Sequence, residues 1–472
     1  MAEDQLTIPS DKGVESATRN IGRMPGYPRV NLFFFLTFLA FVIFRYVDGG
    51  HRMDILETIR FEFILGGSAI IMAIIKMTGQ PVQVGAAKRI VILIGLLFLA
   101  MIVQLPMAWD PDEAQRVFVD RVFKFALLSF LIATMVESPQ LLKIFLGAFL
   151  FAIFYITLES TQGLISGSLV WENQGIPRLH GAVPMYGHPN SLGGVAMGTL
   201  PFVVFLFVPV RHWILRLGLL AASVTSMACV IYSGSRTAYV GLISLFLWQF
   251  FQSHRKGRFI LVGAIVGAIA LSVMPEEYIE RFKSIGGKEA EGSSKEKRIE
   301  ILEDAIIILM ENPAGIGVAS FPAIRRVRFG RSQDTHNLYL EVATNLGVQG
   351  FIIFMALVGV MMFSFRHSAL AFRSQRVRLI RLMRFKGVPP GAKKHIRNHE
   401  RDLAFCYSAA QATAGFILIR LVLGLFGMDL YEIYWWFASG VALALGGLVV
   451  TTNRKTRFFE KLAIDENKDV LA

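Results

Sequence analysis

Long apolar runs are the feature that most constrains what this chain can fold into. Of its 472 residues, 54% are hydrophobic and only 18% are charged, whereas a soluble protein of this length usually carries about a quarter charged residues. Several windows exceed the roughly 20 apolar residues that a helix needs to cross a bilayer. The sequence therefore predicts an all-α polytopic membrane protein.

The apolar runs predict about twelve transmembrane helices and a simple division of the chain. We expect a cytoplasmic tail (1–29), nine spans within 30–275, a large loop (276–335), three spans within 336–450 with a basic loop at 366–402, and a second tail (451–472). The polar N-terminus lacks the apolar stretch and small-residue cleavage site of a signal peptide. The predicted spans are 30–47, 60–76, 88–106, 117–136, 139–158, 190–209, 212–232, 237–251, 258–275, 338–365, 403–426 and 431–450.

The distribution of lysine and arginine predicts the orientation. With both termini in the cytoplasm, the basic segments "PVRHWILR", "QSHRKGR" and 366–401 all face inside, as the positive-inside rule requires. We expect the 366–401 segment to be amphipathic and to lie on the cytoplasmic leaflet. This orientation accounts for the net charge of +13 through anionic membrane lipid, without nucleic acid. In a Gram-negative inner membrane, the large loop would then face the periplasm.

Other classes of protein fit less well. No period of 20–50 residues repeats, and a transporter built of two six-helix halves would place its long cytoplasmic loop in the middle of the chain. Cys229 and Cys406 both lie in apolar runs, so they predict neither a disulfide framework nor a cysteine metal site.

The large loop is predicted to contain an amphipathic helix. Ser293 and Glu296 have the spacing of a capping box, and Pro313 is expected to stop the helix. Arg298 lies in its first turn and is either solvated or functional. The small residues of "NPAGIGVASF" allow close backbone approach, and a basic strip then follows, which either binds an anionic glycolipid headgroup or is solvated. The predicted apolar stripe is Ile299, Leu302, Ile306, Leu309 and Met310, and the strip contains Arg325, Arg326 and Arg328.

Two further outer segments place basic residues close to predicted spans. Arg236 lies in the four-residue turn "SGSR", where it has either snorkelled from its span or meets an anion. "GIPRLHGAVPMYGHPNSLGG" precedes the sixth span and offers Arg178, His180, His188 and Asn190. A histidine in such a loop is a ligand or an ordinary loop residue, and the sequence leaves both open.

His336 and Asn337 stand where the large loop meets the tenth span. With Asp334 or Thr335 as N-cap, His336 would lie in the first helical turn, where the helix dipole disfavours the imidazolium. A neutral imidazole near pH 7 is what a general base requires. The alternative is a capping or interfacial histidine.

Two other polar features carry open alternatives. "WDPDE" contains Asp110 and Asp112, which could share a divalent metal or simply form a turn and an N-cap. Arg420 lies inside the eleventh predicted span, where it could face an outer cavity or pair with Glu62 or Glu159.

These stretches together resemble the O-antigen ligase and O-antigen polymerase superfamily. The likeness is carried by "SGSRTAYVGL", by "GHPNSLGG" and by "KRIEILEDAIIILMENPAGIGVASF" followed by "THNLYLEVATNLGVQGF", in that order between about 175 and 365. In this chain, "HPN" replaces the more usual "NPN". The remaining spans are similar only in hydropathy and number.

The resemblance implies a GT-C-like glycosyltransferase that needs no metal or cofactor. It would move a glycan from undecaprenyl diphosphate to an acceptor hydroxyl at the periplasmic face. The family's catalytic residues correspond to Arg236, Arg298 and His336, and Arg178 corresponds to a further one. The remaining candidates for substrate binding are His188, Asn190, Arg325, Arg326, Arg328, Asn337 and Arg420.

The resemblance favours an O-antigen ligase, with lipid A-core as acceptor. A polymerase that extends the glycan on the same donor is the second reading, and an oligosaccharyltransferase acting on protein is a third. A transporter of a lipid-linked sugar belongs to a different class and predicts critical charges deep in the spans, whereas these candidates cluster at one face.

Overall fold

The computed structural model describes residues 24–173, 176–253, 255–283, 293–384, 388, 390–427 and 430–471. Most of the predicted N-terminal tail, and the middle of the large loop, lie outside these residues. Helices dominate the described chain, and the strands form one antiparallel hairpin, β1 (Val170–Asn173) with β2 (Ile176–Leu179). The helices are α1 (Leu32–Tyr46), α2 (Asp54–Thr58), α3 (Phe61–Gly79), α4 (Lys88–Gln104), α5 (Pro111–Val117), α6 (Lys124–Met135), α7 (Pro139–Ser166), α8 (Pro189–Leu206), α9 (Trp213–Tyr232), α10 (Arg236–Gln252), α11 (Lys256–Val273), α12 (Glu276–Lys283), α13 (Ser293–Glu311), α14 (Phe321–Phe329), α15 (Leu338–Met383), α16 (Pro390–Leu423) and α17 (Ile433–Leu471).

Eight helices of the described chain are long and apolar enough to cross a membrane: α3, α4 with the turn before it, α7, α8, α9, α15, α16 and α17. The other four predicted spans fall on α1, on α5 and α6 joined by a π turn, on α10 and on α11. The expectation of an all-α polytopic membrane protein is confirmed. The number of twelve spans stays a prediction.

Aromatic side chains hold the centre of the bundle together. Phe149 of α7 and Phe437 of α17 have ring centroids 4.5 Å apart, and Phe202 of α8 and Phe416 of α16 both pack against Phe437 as well. Such pairs contribute roughly 0.5–1.5 kcal/mol each beyond their buried area. The helices that support the candidate site are therefore fixed by a common core.

The expectation that 366–401 lies on a leaflet surface is wrong. Instead, α15 continues past its apolar segment to Met383 and α16 begins at Pro390, so both helices run beyond their apolar segments and pack against the end of α17. Arg376 contacts Glu400, and Arg378 donates to Asn453 over 2.7 Å. The apolar side of this basic segment is buried through Phe372, Leu379, Val388, Ala392 and Ile396, and α17 buries Phe459 and Leu462 at the same end.

The segment after α13 locks onto a kink in α15. Gly347 has φ +73° inside α15, and a Cβ there would lie 2.4 Å from the carbonyl of Ala314. The amides of Ile316 and Gly317 donate to carbonyls of α15 over 3.0 and 3.1 Å. The predicted close backbone approach of "NPAGIGVASF" is thus confirmed, and it ties the large loop to a helix of the bundle.

Three helices begin at one end of the bundle, which we call the site face. Their N-caps are His188 for α8, Ser235 for α10 and Asn337 for α15. In the opposite direction, α16 ends at this face, where the Gly424 carbonyl accepts from the amide of Leu338 over 2.7 Å. Because a helix N-terminus carries partial positive charge, three of them at one face favour a bound anion.

Candidate active site

Arg178 is placed at the site face by the β-hairpin. The residue lies on β2 opposite Trp171, and its side chain is 1% exposed. Its Nε donates to the Ser233 carbonyl over 2.7 Å, and its Nη2 donates to Oδ1 of Asn190 over 2.7 Å. Arg178 therefore links the turn before α10 to the first residues of α8, and it brings a guanidinium charge between them.

His188 caps α8 beside this arginine. Its Nδ1 accepts from the Asn190 amide over 3.1 Å, which assigns the remaining proton of the neutral ring to Nε2. Burial lowers the pKa of His188, the guanidinium of Arg178 lowers it further, and protonation of His336 acts in the same direction. This influence shows that the predicted residues of the 178–190 segment and His336 share one electrostatic environment.

Arg236 is the first residue of α10, directly after a tight turn. Gly234 has φ +56°, and a Cβ there would lie 2.9 Å from Ile176 of β2. The turn before α10 therefore needs glycine at this position. The Ser235 hydroxyl caps the helix by accepting from Ala238 N over 3.4 Å. Arg236 is half-buried, which sets a guanidinium beside a helix N-terminus.

The predicted position of His336 in a first helical turn is wrong. Asn337, not Asp334 or Thr335, is the N-cap, because its Oδ1 accepts from the amides of Tyr339 and Leu340 over 3.0 and 3.1 Å. His336 precedes the cap in the left-handed region, with φ +48°. Such a conformation costs of order 1–3 kcal/mol in a residue other than glycine and collects at functional sites.

Residues around His336 hold it in this conformation. Buried Thr335 donates its hydroxyl to the Asn337 carbonyl over 3.2 Å, and Asn337 Nδ2 donates to the Leu425 carbonyl over 3.3 Å. Glu341, buried in the first turn of α15, accepts from the Leu430 amide over 3.1 Å. The ring of His336 itself stays exposed, so a rigid platform presents it at the site face.

The ring of His336 is biased towards its neutral form. Partial burial lowers its pKa, and the nearby charges of Arg298 and Arg325 lower it further, while the Asp334 carboxylate acts in the opposite direction. Burial raises the pKa of Asp334. The neutral imidazole expected from the sequence therefore follows from burial and cations rather than from a place in the helix.

Arg298 reaches the site from α13, where its side chain is exposed. The predicted helix is confirmed, and the residues that it buries are Ile301, Ala305 and Ile308 rather than those of the predicted apolar stripe. The ion pair between Asp304 and Arg325 holds the side of α13 that contains these three residues against α14. The Ser293 side chain of the predicted capping box lies outside the described residues. From the predicted stripe, Ile299, Ile306 and Met310 remain exposed.

The predicted basic strip is helical and its arginines have different surroundings. Arg325 is 1% exposed, with its guanidinium on Asp304 and on Gln333, so it fastens α13 to α14 and does not reach a headgroup. Arg328 pairs with Glu311. Arg326 is exposed and makes no ion pair with any described residue, which leaves it as the side chain of this strip that is open to an anion.

Arg420 takes neither of the two expected roles. Glu62 pairs with Arg45 and Glu159 pairs with Arg52. Arg420 is instead 3% exposed, stacks 3.3 Å from the ring centroid of Tyr434, and donates Nη2 to the Gly194 carbonyl over 2.9 Å. Its charge is thus held below the site face and supports α8.

The acidic "WDPDE" segment forms a helix start. Asp110 caps α5 by accepting from the Glu113 amide over 3.1 Å, with Pro111 as the first helical residue. The Glu113 carboxylate pairs with Arg116 over 2.7 Å. The sequence left two alternatives for this segment, a metal site or a turn with an N-cap. The structure shows the turn with an N-cap.

The site thus brings together Arg178, Asn190, His188, His336 and Arg298. Arg236 follows the turn whose Ser233 carbonyl accepts from Arg178. Sequence reasoning missed the groups that position them, which are Ser233, Asp304 and Glu341. A carboxylate just inside an apolar run was an available signal for Glu341, whereas nothing in the sequence distinguishes Ser233 from other serines of outer turns.

One known protein family is similar to part of this chain. The family model described as O-antigen ligase matches residues 221–355, a segment that includes Arg236, Arg298 and His336. Arg178, His188, Asn190 and Arg420 lie outside it. No curated protein matches the chain.

Proposed function

Since the match over residues 221–355 supports membership of the O-antigen ligase-like superfamily, we propose that this protein is a ligase-type inverting glycosyltransferase. It transfers a glycan from undecaprenyl diphosphate to a hydroxyl of lipid A-core, without a metal ion, at the periplasmic face of the bacterial inner membrane. Both termini are then cytoplasmic. The observation that carries the proposal is His336, an exposed histidine with a lowered pKa that shares its environment with arginines.

The first part of the reaction concerns the leaving group. As the bond between the anomeric carbon and the diphosphate oxygen breaks, negative charge grows on undecaprenyl diphosphate. Guanidiniums donate paired hydrogen bonds to phosphate oxygens, and these hydrogen bonds become stronger as the negative charge on the oxygens grows. Arg236 and Arg298 supply them, and the N-termini of α8, α10 and α15 add partial positive charge at the same face.

The second part concerns the acceptor. Its hydroxyl oxygen forms the new bond to the anomeric carbon from the side opposite the diphosphate, which inverts the configuration. The hydroxyl proton passes to neutral His336, which loses it to water after the product has left. Asn337 keeps the residue before it in position, while Arg178, His188 and Asn190 line the donor side. Arg326 is the exposed arginine of α14 available to an acceptor phosphate.

Transfer in proteoliposomes tests the acceptor. A labelled undecaprenyl diphosphate glycan is supplied in EDTA, with or without lipid A-core. A ligase gives labelled lipid A-core only when this acceptor is present. Longer chains on undecaprenyl diphosphate without it would identify the second candidate, a polymerase with the same donor chemistry. Product that requires an added divalent metal would contradict the metal-independent mechanism.

A further inference from the structure

A small cavity lies at the end of the bundle away from the site face. Its volume is about 110 Å³. Its walls come from the turn before α4 (Gly85–Ala87), from α15 and from α17, through Ala86, Ala87, Ser364, His367, Ser368, Gly446, Val449 and Val450. The first arginines beyond the apolar segments of α15 and α17, Arg366 and Arg454, lie at the same level. The cavity is therefore at the depth where lipid headgroups meet hydrocarbon.

Two buried hydroxyls line this cavity without a hydrogen-bond partner among the described residues. Ser364 is 4% exposed and Ser368 is 2% exposed, and both lie in the cavity wall on α15. Serines within a helix commonly donate to the carbonyl four residues earlier, as Ser68 and Ser244 do here. The hydroxyls of Ser364 and Ser368 both open into the cavity, where they are available as donors to a ligand.

The start of α4 beside the cavity also favours an anion. Its N-cap is Ala87, which has no side chain to accept from the first amides, and its first turn contains no acidic residue. Lys88 and Arg89 occupy that turn and are exposed. Cations at a helix N-terminus oppose the dipole, and a bound anion would remove this unfavourable arrangement.

The cavity wall depends on a close contact between two backbones. A Cβ on Gly446 of α17 would lie 2.3 Å from the Val84 carbonyl, and Gly85 has φ +53°. The glycines therefore let the turn before α4 approach α17 closely. This contact brings the N-terminus of α4 to the two serines of α15.

We propose that this cavity binds the phosphate group of a membrane phospholipid. The phosphate oxygens accept from the hydroxyls of Ser364 and Ser368 and from the first amides of α4, while Lys88 and Arg89 balance the charge. The exposed side chains of Ile92, Leu96 and Leu99 on α4 continue from the cavity along the apolar segment, where they would contact the acyl chains. This site is separate from the proposed transferase chemistry.

The test is native mass spectrometry of the full chain titrated with phosphatidylglycerol. The double substitution Ser364→Ala with Ser368→Ala removes both donors and leaves α15 intact; we expect one lipid to bind at least five-fold more weakly. Ser368→Leu, which fills the cavity, should abolish that binding step. Ser374→Ala, an exposed serine on the same helix, serves as the control and should bind as the wild type does.

Competition identifies the chemical group that is recognised. Diacylglycerol, which has acyl chains and no phosphate, should not displace the lipid. Displacement by millimolar inorganic phosphate would overturn the lipid assignment in favour of a soluble phosphate compound. Equal affinity of the wild type and the double variant, or equal displacement by diacylglycerol, would overturn the phosphate site. Lipid addition should also raise the Tm of the wild type and not that of the double variant.

Discussion

Arg325 and Asp304 form a buried ion pair that joins α13 to α14, with 2.8 Å between Nε and Oδ2. The pair determines which side of α13 is buried and hence where Arg298 points. It also keeps a cation near His336. The large loop is thus positioned by an interaction inside it as well as by its contacts with α15.

Replacing Arg325 with Met should loosen the large loop. Removing one partner of a buried ion pair is strongly destabilising, and it would leave Asp304 with only the longer contact to Arg331, 3.7 Å from Nη1 to Oδ2. We expect faster limited proteolysis between α13 and α14 and a lower Tm in detergent. Arg326→Met, at the exposed neighbour, is the matched control and should change neither. Equal protease resistance of the two variants would contradict the structural role of Arg325.

Replacing Asn337 with Ala should disturb the platform of His336. Loss of an N-cap costs about 1 kcal/mol, and here it also frees the left-handed residue beside it. We expect a lower kcat for glycan transfer with little change in expression. Asn337→Asp retains the acceptor oxygen of the cap but loses the donor to the Leu425 carbonyl, so it should restore only part of the stability. If the Ala variant transferred glycan normally, the positioning role would be wrong.

The acidic limb of the pH profile should report on His336. Transfer needs the neutral ring, so kcat/KM falls as pH drops through the pKa of His336, which is held below the ordinary value of about 6.5. Arg298→Gln removes a cation, raises this pKa, and should move the limb to higher pH. Asp334→Asn removes an anion and should move it to lower pH. Limbs that coincide in all three proteins would exclude His336 as the titrating base.

Glycan transfer should depend on the guanidinium of Arg236 and not only on its positive charge. A planar guanidinium donates two hydrogen bonds to a diphosphate, whereas lysine offers a point charge. We expect Arg236→Ala to lower kcat by roughly 10²–10³-fold, in the range seen when one transition-state donor is removed, and Arg236→Lys to recover only part of it. Full activity of the Lys variant would show that charge alone suffices.

Local patterns in the sequence were sufficient for the helices and for the close approach of "NPAGIGVASF". They were not sufficient where a distant partner decides the outcome. The buried side of α13 depends on Arg325 meeting Asp304, and nothing within α13 reveals that contact. Periodicity alone instead favours Ile299, Ile306 and Met310, which are exposed.

The roles expected for Arg420 and the surface position expected for the segment 366–401 were wrong for a related reason. Arg420 contacts an aromatic ring and a backbone carbonyl, whereas the sequence predicted a carboxylate partner or an outer cavity. The segment at 366–401 has the composition of a surface-lying helix, but its apolar residues pack against α17. For His336, an error of a few residues in the helix start changed the physical cause of its lowered pKa without changing the direction.

The most direct test of the central claim is glycan transfer by His336→Ala in proteoliposomes, with donor binding measured in the same preparation. The account predicts that kcat falls by roughly 10²–10⁴-fold, the usual contribution of a general base, while the donor still binds. A His212→Ala protein is the matched control, since His212 is an exposed histidine before α9 without a role in the site, and it should transfer glycan at the wild-type rate. Transfer at the wild-type rate by His336→Ala would contradict the account.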